Sequence, residues 1–177
     1  MTPPLVDVVI EDPRWQPLAL DSLAEQAARA ALAAVDLAPD GFEIALLAAT
    51  DARIAELNAA FRGRGGATNV LSWPAVERAA PSEGAPPTPP RPGRADDPES
   101  LGDIALAFET CAREAAEAGK PFDQHLLHLV VHGTLHLLGY DHQRDGDATL
   151  MESLETAALA ELGVPDPYQE AARDRIA

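Results

Sequence analysis

The sequence predicts an α/β (α+β) fold in which a small mixed sheet of about four strands is flanked by helices. Two observations carry that expectation. In the first half of the chain, short apolar runs with strand character alternate with runs of helical character rich in alanine and leucine. In the second half, three helical runs follow one another, separated by breaks that glycine or proline marks. The resulting order is βαβαββααα.

Each element has a local reason. Leu5 to Glu11 alternates apolar and polar side chains around Val6, Val8 and Ile10, the pattern of a half-buried strand. Ser22 followed by Glu25 reads as a capping box that opens a helix through about Val35, with no breaker before Pro39. Phe42 to Ala49 is a nearly continuous apolar run, as in a buried strand. Asp51 stands where it can cap the next helix, which carries Ile54, Leu57 and Phe61 on one face and ends at Gly63, Gly65 and Gly66. Thr68 to Trp73 reads as a short strand stopped by Pro74, and Gly102 to Ala107 as another. Between them, Glu77 to Ser100 is polar and proline-rich and reads as a mobile insertion.

Glu109 to Ala118 is a helix ended by Gly119. Pro121 suits the first turn of a long helix that runs to about Leu138 and stops at Gly139. A last helix covers roughly Asp147 to Leu162, with Gly163 and Pro165 just past its end. No internal repeat is visible.

Composition bounds what such a chain does. Its 177 residues, 46% of them apolar, suffice for one compact domain over residues 1–177, with the flexible proline-rich insertion at about 77–100 as the irregular part. Half of the sixteen prolines fall from Pro74 to Pro98. A lone cysteine, Cys111, forms no internal disulfide, and MTPPLVDVVIEDP lacks the basic and long apolar stretches of a secretory signal, so the expected location is cytoplasmic. No run approaches the roughly 18 apolar residues that span a bilayer, so no membrane partner is expected. The formal charge is −16, from 29 acidic and 13 basic residues, twelve of the latter arginine. A protein this acidic repels phosphate at long range and is no general coat for nucleic acid. An RNA substrate would have to meet a local positive patch, a metal ion or an attracting partner.

All five histidines lie between residues 125 and 142. On the long helix, His125, His128, His132 and His136 fall at i, i+3, i+7 and i+11, on one stripe. His132 and His136 are i, i+4 neighbours, the spacing that lets imidazoles on adjacent turns reach one metal ion. Gly139 then breaks the helix, so the chain can return His142 to the same ion. Three neutral imidazoles leave a tetrahedral zinc with one open position for water or substrate, which is the coordination of a catalytic site. An isolated HxxxH on a helix is commonly core packing or a surface pair. The third histidine beyond a helix-breaking glycine, with Val130, Val131, Leu135, Leu137 and Leu138 as an apolar shell, turns the reading to a metal site. His125 and His128 read as ordinary helix-face histidines, with His128, one turn before His132, placed to support a ligand.

The histidine and glycine spacing is that of the metzincin peptidases, HExxHxxGxxH. Those enzymes place a general-base glutamate directly after the first histidine, where this chain has Gly133, which cannot take a proton from a metal-bound water.

The run His128-Leu129-Val130-Val131-His132-Gly133-Thr134-Leu135-His136-Leu137-Leu138-Gly139-Tyr140-Asp141-His142 resembles the signature of the bacterial YbeY family of zinc-dependent endoribonucleases. Leu57-Asn58-Ala59-Ala60-Phe61-Arg62-Gly63-Arg64, leading into Thr68-Asn69-Val70-Leu71-Ser72-Trp73-Pro74, is similar to that family's LNxxYRxK…TxVLSFP region. Leu101-Gly102-Asp103-Ile104 is similar to its LGDI strand. The resemblance spans roughly Leu5 to Leu162. It implies an α/β fold around a small sheet and one zinc ion per chain held by His132, His136 and His142. It further implies endonuclease action on single-stranded RNA, in 16S rRNA 3′-end maturation and ribosome quality control, with the small ribosomal subunit and its proteins as partners. The family's functional arginine corresponds to Arg62, which would bind nonbridging phosphate oxygens as the catalytic residue. Phe61, Trp73 and Arg64 depart from the family pattern while keeping aromatic or cationic character, and the insertion after Pro74 is longer than expected.

No residue identifies itself as general base. Asp141 and Asp103 are the candidates by position, each with a capping or hydrogen-bonding role as the simpler assignment, and the RNA 2′-hydroxyl is an alternative nucleophile. Two other classes share the zinc site. One is a zinc peptidase-like hydrolase, against which Gly133 stands. The other is a non-catalytic ribosome assembly factor with a structural zinc, for which the acidic surface suits basic ribosomal proteins.

Overall fold

In a computed structural model of the chain, the described residues are 3–62 and 68–168, and the side chains of Phe61 and Arg62 lie outside the description. The strands are β1 (Val6–Ile10), β2 (Phe42–Ala49), β3 (Val70–Pro74) and β4 (Glu99–Ala107). The helices are α1 (Leu20–Ala34), α2 (Asp51–Arg62), α3 (Phe108–Ala118), α4 (Phe122–Leu137) and α5 (Asp145–Glu161), with a 3-10 helix over Pro13–Leu18. The sheet runs β1-β2-β4-β3, with β1, β2 and β4 parallel and β3 antiparallel to β4 at one edge. The expected mixed sheet of four strands flanked by helices is therefore present.

Side chains alternate across this sheet, and its two faces are covered differently. Val6, Ile44, Leu46, Ile104 and Leu106 join the main core with buried residues of α1, α4 and α5. Ala49, Leu71, Ala105 and Ala107 form a smaller cluster with Ile54 of α2. Alanines permit close approach on the first face: Ala24, Ala27, Ala28 and Ala31 of α1 are all fully buried. Gly133 does the same for α4, since a Cβ there would stand 3.2 Å from Ile104 Cδ1.

Tertiary partners overrule two of the expected caps. Ser22 is the third residue of α1, where its hydroxyl accepts from Gln26. The Glu25 carboxylate accepts from the Leu5 and Val6 amides at 3.0 and 2.9 Å, tying α1 to the start of β1. The capping box is thus replaced by a left-handed Ala19 at the N-cap. Asp51 likewise serves another helix: its carboxylate accepts from the amide and hydroxyl of Thr110, in the first turn of α3. Thr50 accepts from the Arg53 amide and caps α2 in its place. The expected stop at Gly63, Gly65 and Gly66 lies outside the described residues.

β4 starts at Glu99, earlier than the expected Gly102, because Gly41 of the neighbouring loop accepts from both Gly93 and Glu99 and draws the incoming chain onto the sheet. Glu99 and Ser100 therefore belong to β4. Residues 77–98 contain neither helix nor strand, only an isolated bridge between Arg94 and Asp97. They are tied to the start of α5, where Gly84 donates to Asp147 at 2.8 Å and Gly146 donates to Glu83 at 3.1 Å. The 3-10 helix, which strand and helix periodicity do not register, buries Trp15 completely. Its indole donates to the Ala49 carbonyl and packs on Phe108 and Phe122. No helix among the described residues is long and apolar enough to cross a membrane.

Gly102 adopts φ +133°, and a Cβ there would overlap the Trp73 carbonyl oxygen and press on Leu137 Cδ2 of α4. Gly102→Ala is therefore expected to cost about 2–4 kcal/mol of folding free energy. Chemical denaturation measures it, and a loss below about 1 kcal/mol would contradict the close β3–β4 approach.

Candidate metal centre

α4 presents its histidines on a helix whose opposite side is core. Leu126, Leu129, Val130, Gly133 and Leu137 are buried, whereas His132 and His136 are half-buried. The helix ends as its glycine predicts. Gly139, at φ +104°, donates to the His136 carbonyl while Tyr140 donates to Leu135, the paired bonds of a Schellman motif. This turn sends the chain back along the helix, and the exposed His142 arrives beside the other two. Its amide donates to Asp141 Oδ1 at 2.8 Å, which fixes the loop.

The three rings converge. Their centroids are 4.5 Å apart for His132 and His136, 5.0 Å for His136 and His142, and 5.3 Å for His132 and His142. One ligand nitrogen from each lies within 4.8 Å of the others. Two nitrogens bound to one zinc at about 2.0–2.1 Å lie about 3–4 Å apart, so small ring rotations suffice to close the set. Burial, with the neighbouring His132 and His142 adding to it, pushes the His136 pKa down to about 4. The imidazole is neutral near pH 7 and offers the lone pair a metal requires. The trio could hold a metal ion, and its chemistry fits one.

A fourth residue, unforeseen from sequence, completes the arrangement. Glu155 of α5 has no solvent exposure, yet its carboxylate meets His132 Nδ1, His128 Nε2 at 3.4 Å and the Tyr168 hydroxyl. Burial alone would raise its pKa, but hydrogen bonds from His128, His132 and Tyr168 prevail and hold it down to about 2. A signal did exist: Met151, Glu155, Ala158 and Leu159 share one helical stripe, and Glu155 is the one charge on it.

The family described as Endoribonuclease YbeY matches residues 10–163. The chain belongs to that family. A Cereibacter sphaeroides protein described as Endoribonuclease YbeY is 60% identical over 165 residues, spanning 93% of this chain and 99% of that one. A Rhodopseudomonas palustris protein of the same description is 45% identical over 174 residues, spanning 98% and 84%. Among solved structures, a Thermotoga maritima protein determined in solution shares the fold, with a TM-score of 0.52 at 20% identity over 89% of this chain and 91% of that one.

The other residues singled out from sequence distribute as follows in this YbeY-family chain. Arg62 is the last described residue of α2, and its side chain lies outside the described residues. His125 pairs with Glu114 at 3.1 Å, while His128 contacts Glu155 at 3.4 Å. Asp103 lines the opposite face of the sheet with Val9, Leu57 and Trp73, out of reach of the histidines. The trio borders an open groove of about 520 Å³, walled by Asn69, Val70 and Ser72 on one side and Tyr140, Asp141 and Gln143 on the other.

The depressed pKa values set the pH response of metal-free protein. Below about pH 6.5 the unfolded chain takes up a proton that folded His136 refuses until about pH 4, and below about 4.5 the same holds for Glu155 down to about 2. Stability from both groups is complete above pH 6.5 and is lost as pH falls through these windows. Denaturation midpoints should rise with pH from 4 to 6.5, and a flat profile would contradict the buried, neutral His136. Protons also compete with metal, so bound metal is expected to leave below about pH 6.

Proposed function

We propose that this chain is a zinc-dependent, single-strand-specific endoribonuclease acting in the cytoplasm on 16S rRNA 3′-end maturation and in ribosome quality control. In this reading His132, His136 and His142 hold one zinc ion and Arg62 is the catalytic arginine. The observation that carries it is the convergence of three imidazoles on an open groove in a chain of the YbeY family.

When bound, zinc supplies Lewis acidity toward a phosphoryl oxygen and lowers the pKa of water. The protein's own residues do the rest. His132, His136 and His142 would hold the ion through their imidazole nitrogens beside the groove. Arg62, at the end of α2 and shortly before the groove wall at Thr68, binds nonbridging phosphate oxygens bidentately and stabilises the charge that grows on them. Asn69, Ser72 and Gln143 supply polar groups along the path of an extended strand. Local positive charge at the metal offsets the long-range repulsion expected of a chain at −16. Gly133 packs on Ile104 and supplies no base, which argues against peptidase chemistry. Asp141 Oδ1 accepts from the His142 amide, which gives that carboxylate a role in fixing the loop.

The test compares wild type with His132→Ala and Arg62→Ala, purified in parallel, on a labelled RNA with a single-stranded 3′ tail and on its fully paired counterpart. Wild type is expected to cut within the tail only, to lose activity with a chelator and to regain it with zinc. His132→Ala is expected to fall to background and Arg62→Ala to lose about 10²-fold in kcat/KM. Equal cleavage by wild type and His132→Ala, or none by either, would overturn the enzymatic reading in favour of an assembly factor.

A further inference from the structure

We propose that Glu155 is a positioning residue of the metal centre, whose carboxylate holds His132 in the tautomer that carries its proton on Nδ1 and presents Nε2 to the ion. The proposal rests on the metal-ligand reading above and adds a residue outside the three histidines.

The two carboxylate oxygens are divided between partners. Oε1 is given to His132 Nδ1, while Oε2 is shared by the Tyr168 hydroxyl and His128 Nε2. Nδ1 must carry hydrogen here, because a bare nitrogen lone pair against a carboxylate oxygen would be repelled. The remaining lone pair of His132 is then on Nε2, the nitrogen left for the ion shared with His136 and His142.

The bracing is itself anchored. Tyr168 is held by its own amide, which donates to Asp166 Oδ1 at 2.9 Å, and Asp166 also accepts from Thr156 of α5. Glu155 lacks solvent exposure, so no water competes for its oxygens and the carboxylate is fixed by its donors. Filling the core does not require a carboxylate, since Met151, Ala158 and Leu159 fill the rest of this stripe with apolar groups. Burying a charge there carries a desolvation cost that an apolar residue would avoid. A carboxylate–histidine–metal relay fixes ring orientation and raises the basicity of the ligand, which accounts for an acid at this position.

Glu155→Gln keeps the shape and removes the charge. Zinc affinity of the folded protein is read by competition with a chromophoric chelator, and folding of the metal-free protein by denaturation. Zinc affinity is expected to fall about 10–100-fold in Glu155→Gln. A role in packing alone would move the denaturation midpoint and leave zinc affinity unchanged, and that result would overturn the proposal. Should Glu155→Gln not fold, Tyr168→Phe keeps the carboxylate and removes one brace; a several-fold weaker zinc affinity supports the assignment and an unchanged one overturns it. Wild type that takes up no zinc would overturn the metal-ligand reading and this assignment together, whereas wild-type binding with unaffected variants would overturn this assignment alone.

Discussion

The close packing of α4 on β4 is the constraint on which the rest of the architecture depends. At Gly133 the helix has no side chain, and Ile104 fills the space a Cβ would claim. With one side of α4 committed to the sheet, its histidine stripe is left on the groove side. Gly102 plays the matching part below, letting β3 and the end of α4 crowd against β4 where any side chain would collide. Two glycines thus bring the edge strand and the histidine-bearing helix to the two sides of one groove.

Acidic side chains do more than charge the surface of this protein. Glu25 ties α1 to β1, Asp51 caps α3 from α2, and Glu155 meets three donors from α4 and the segment after α5. In each case a carboxylate accepts hydrogen bonds from an element distant in sequence. Charge-assisted bonds of this kind are stronger than neutral ones, and they lock the relative placement of elements that apolar contact alone would leave free to slide. The overall charge of −16 says nothing of this distinction between solvated acids and those that fasten the fold.

The parts of the site legible in sequence are those built from short-range geometry. His132 and His136 face the same way because of the helical repeat, and Gly139 announces the turn that returns His142. Strand and helix order was legible for the same reason: alternation in β1, the apolar run of β2 and the glycine stops of α3 and α4 are all local patterns. The misread caps are instructive. Ser22 with Glu25 and Asp51 have the right types at the right offsets for local capping, yet the backbone amides of β1 and α3 offered those carboxylates partners that a pattern along the chain does not contain. The 3-10 helix at Trp15 is not legible in sequence because a short turn containing Pro13 and Pro17 carries no periodicity and is held by the side chain it buries.

Sequence by itself determined the element order, the three metal-competent histidines and the family they announce, because each follows from spacing within one turn or one strand. Tertiary structure alone decided that α4 meets β4 at Gly133 and Ile104, that β3 stands as the edge walling the groove, and that Glu155 sits against His132 from a different helix. The physical reason is range. Periodicity reports which face of an element is apolar, but it cannot report which donor from another element a buried carboxylate will meet once those faces close.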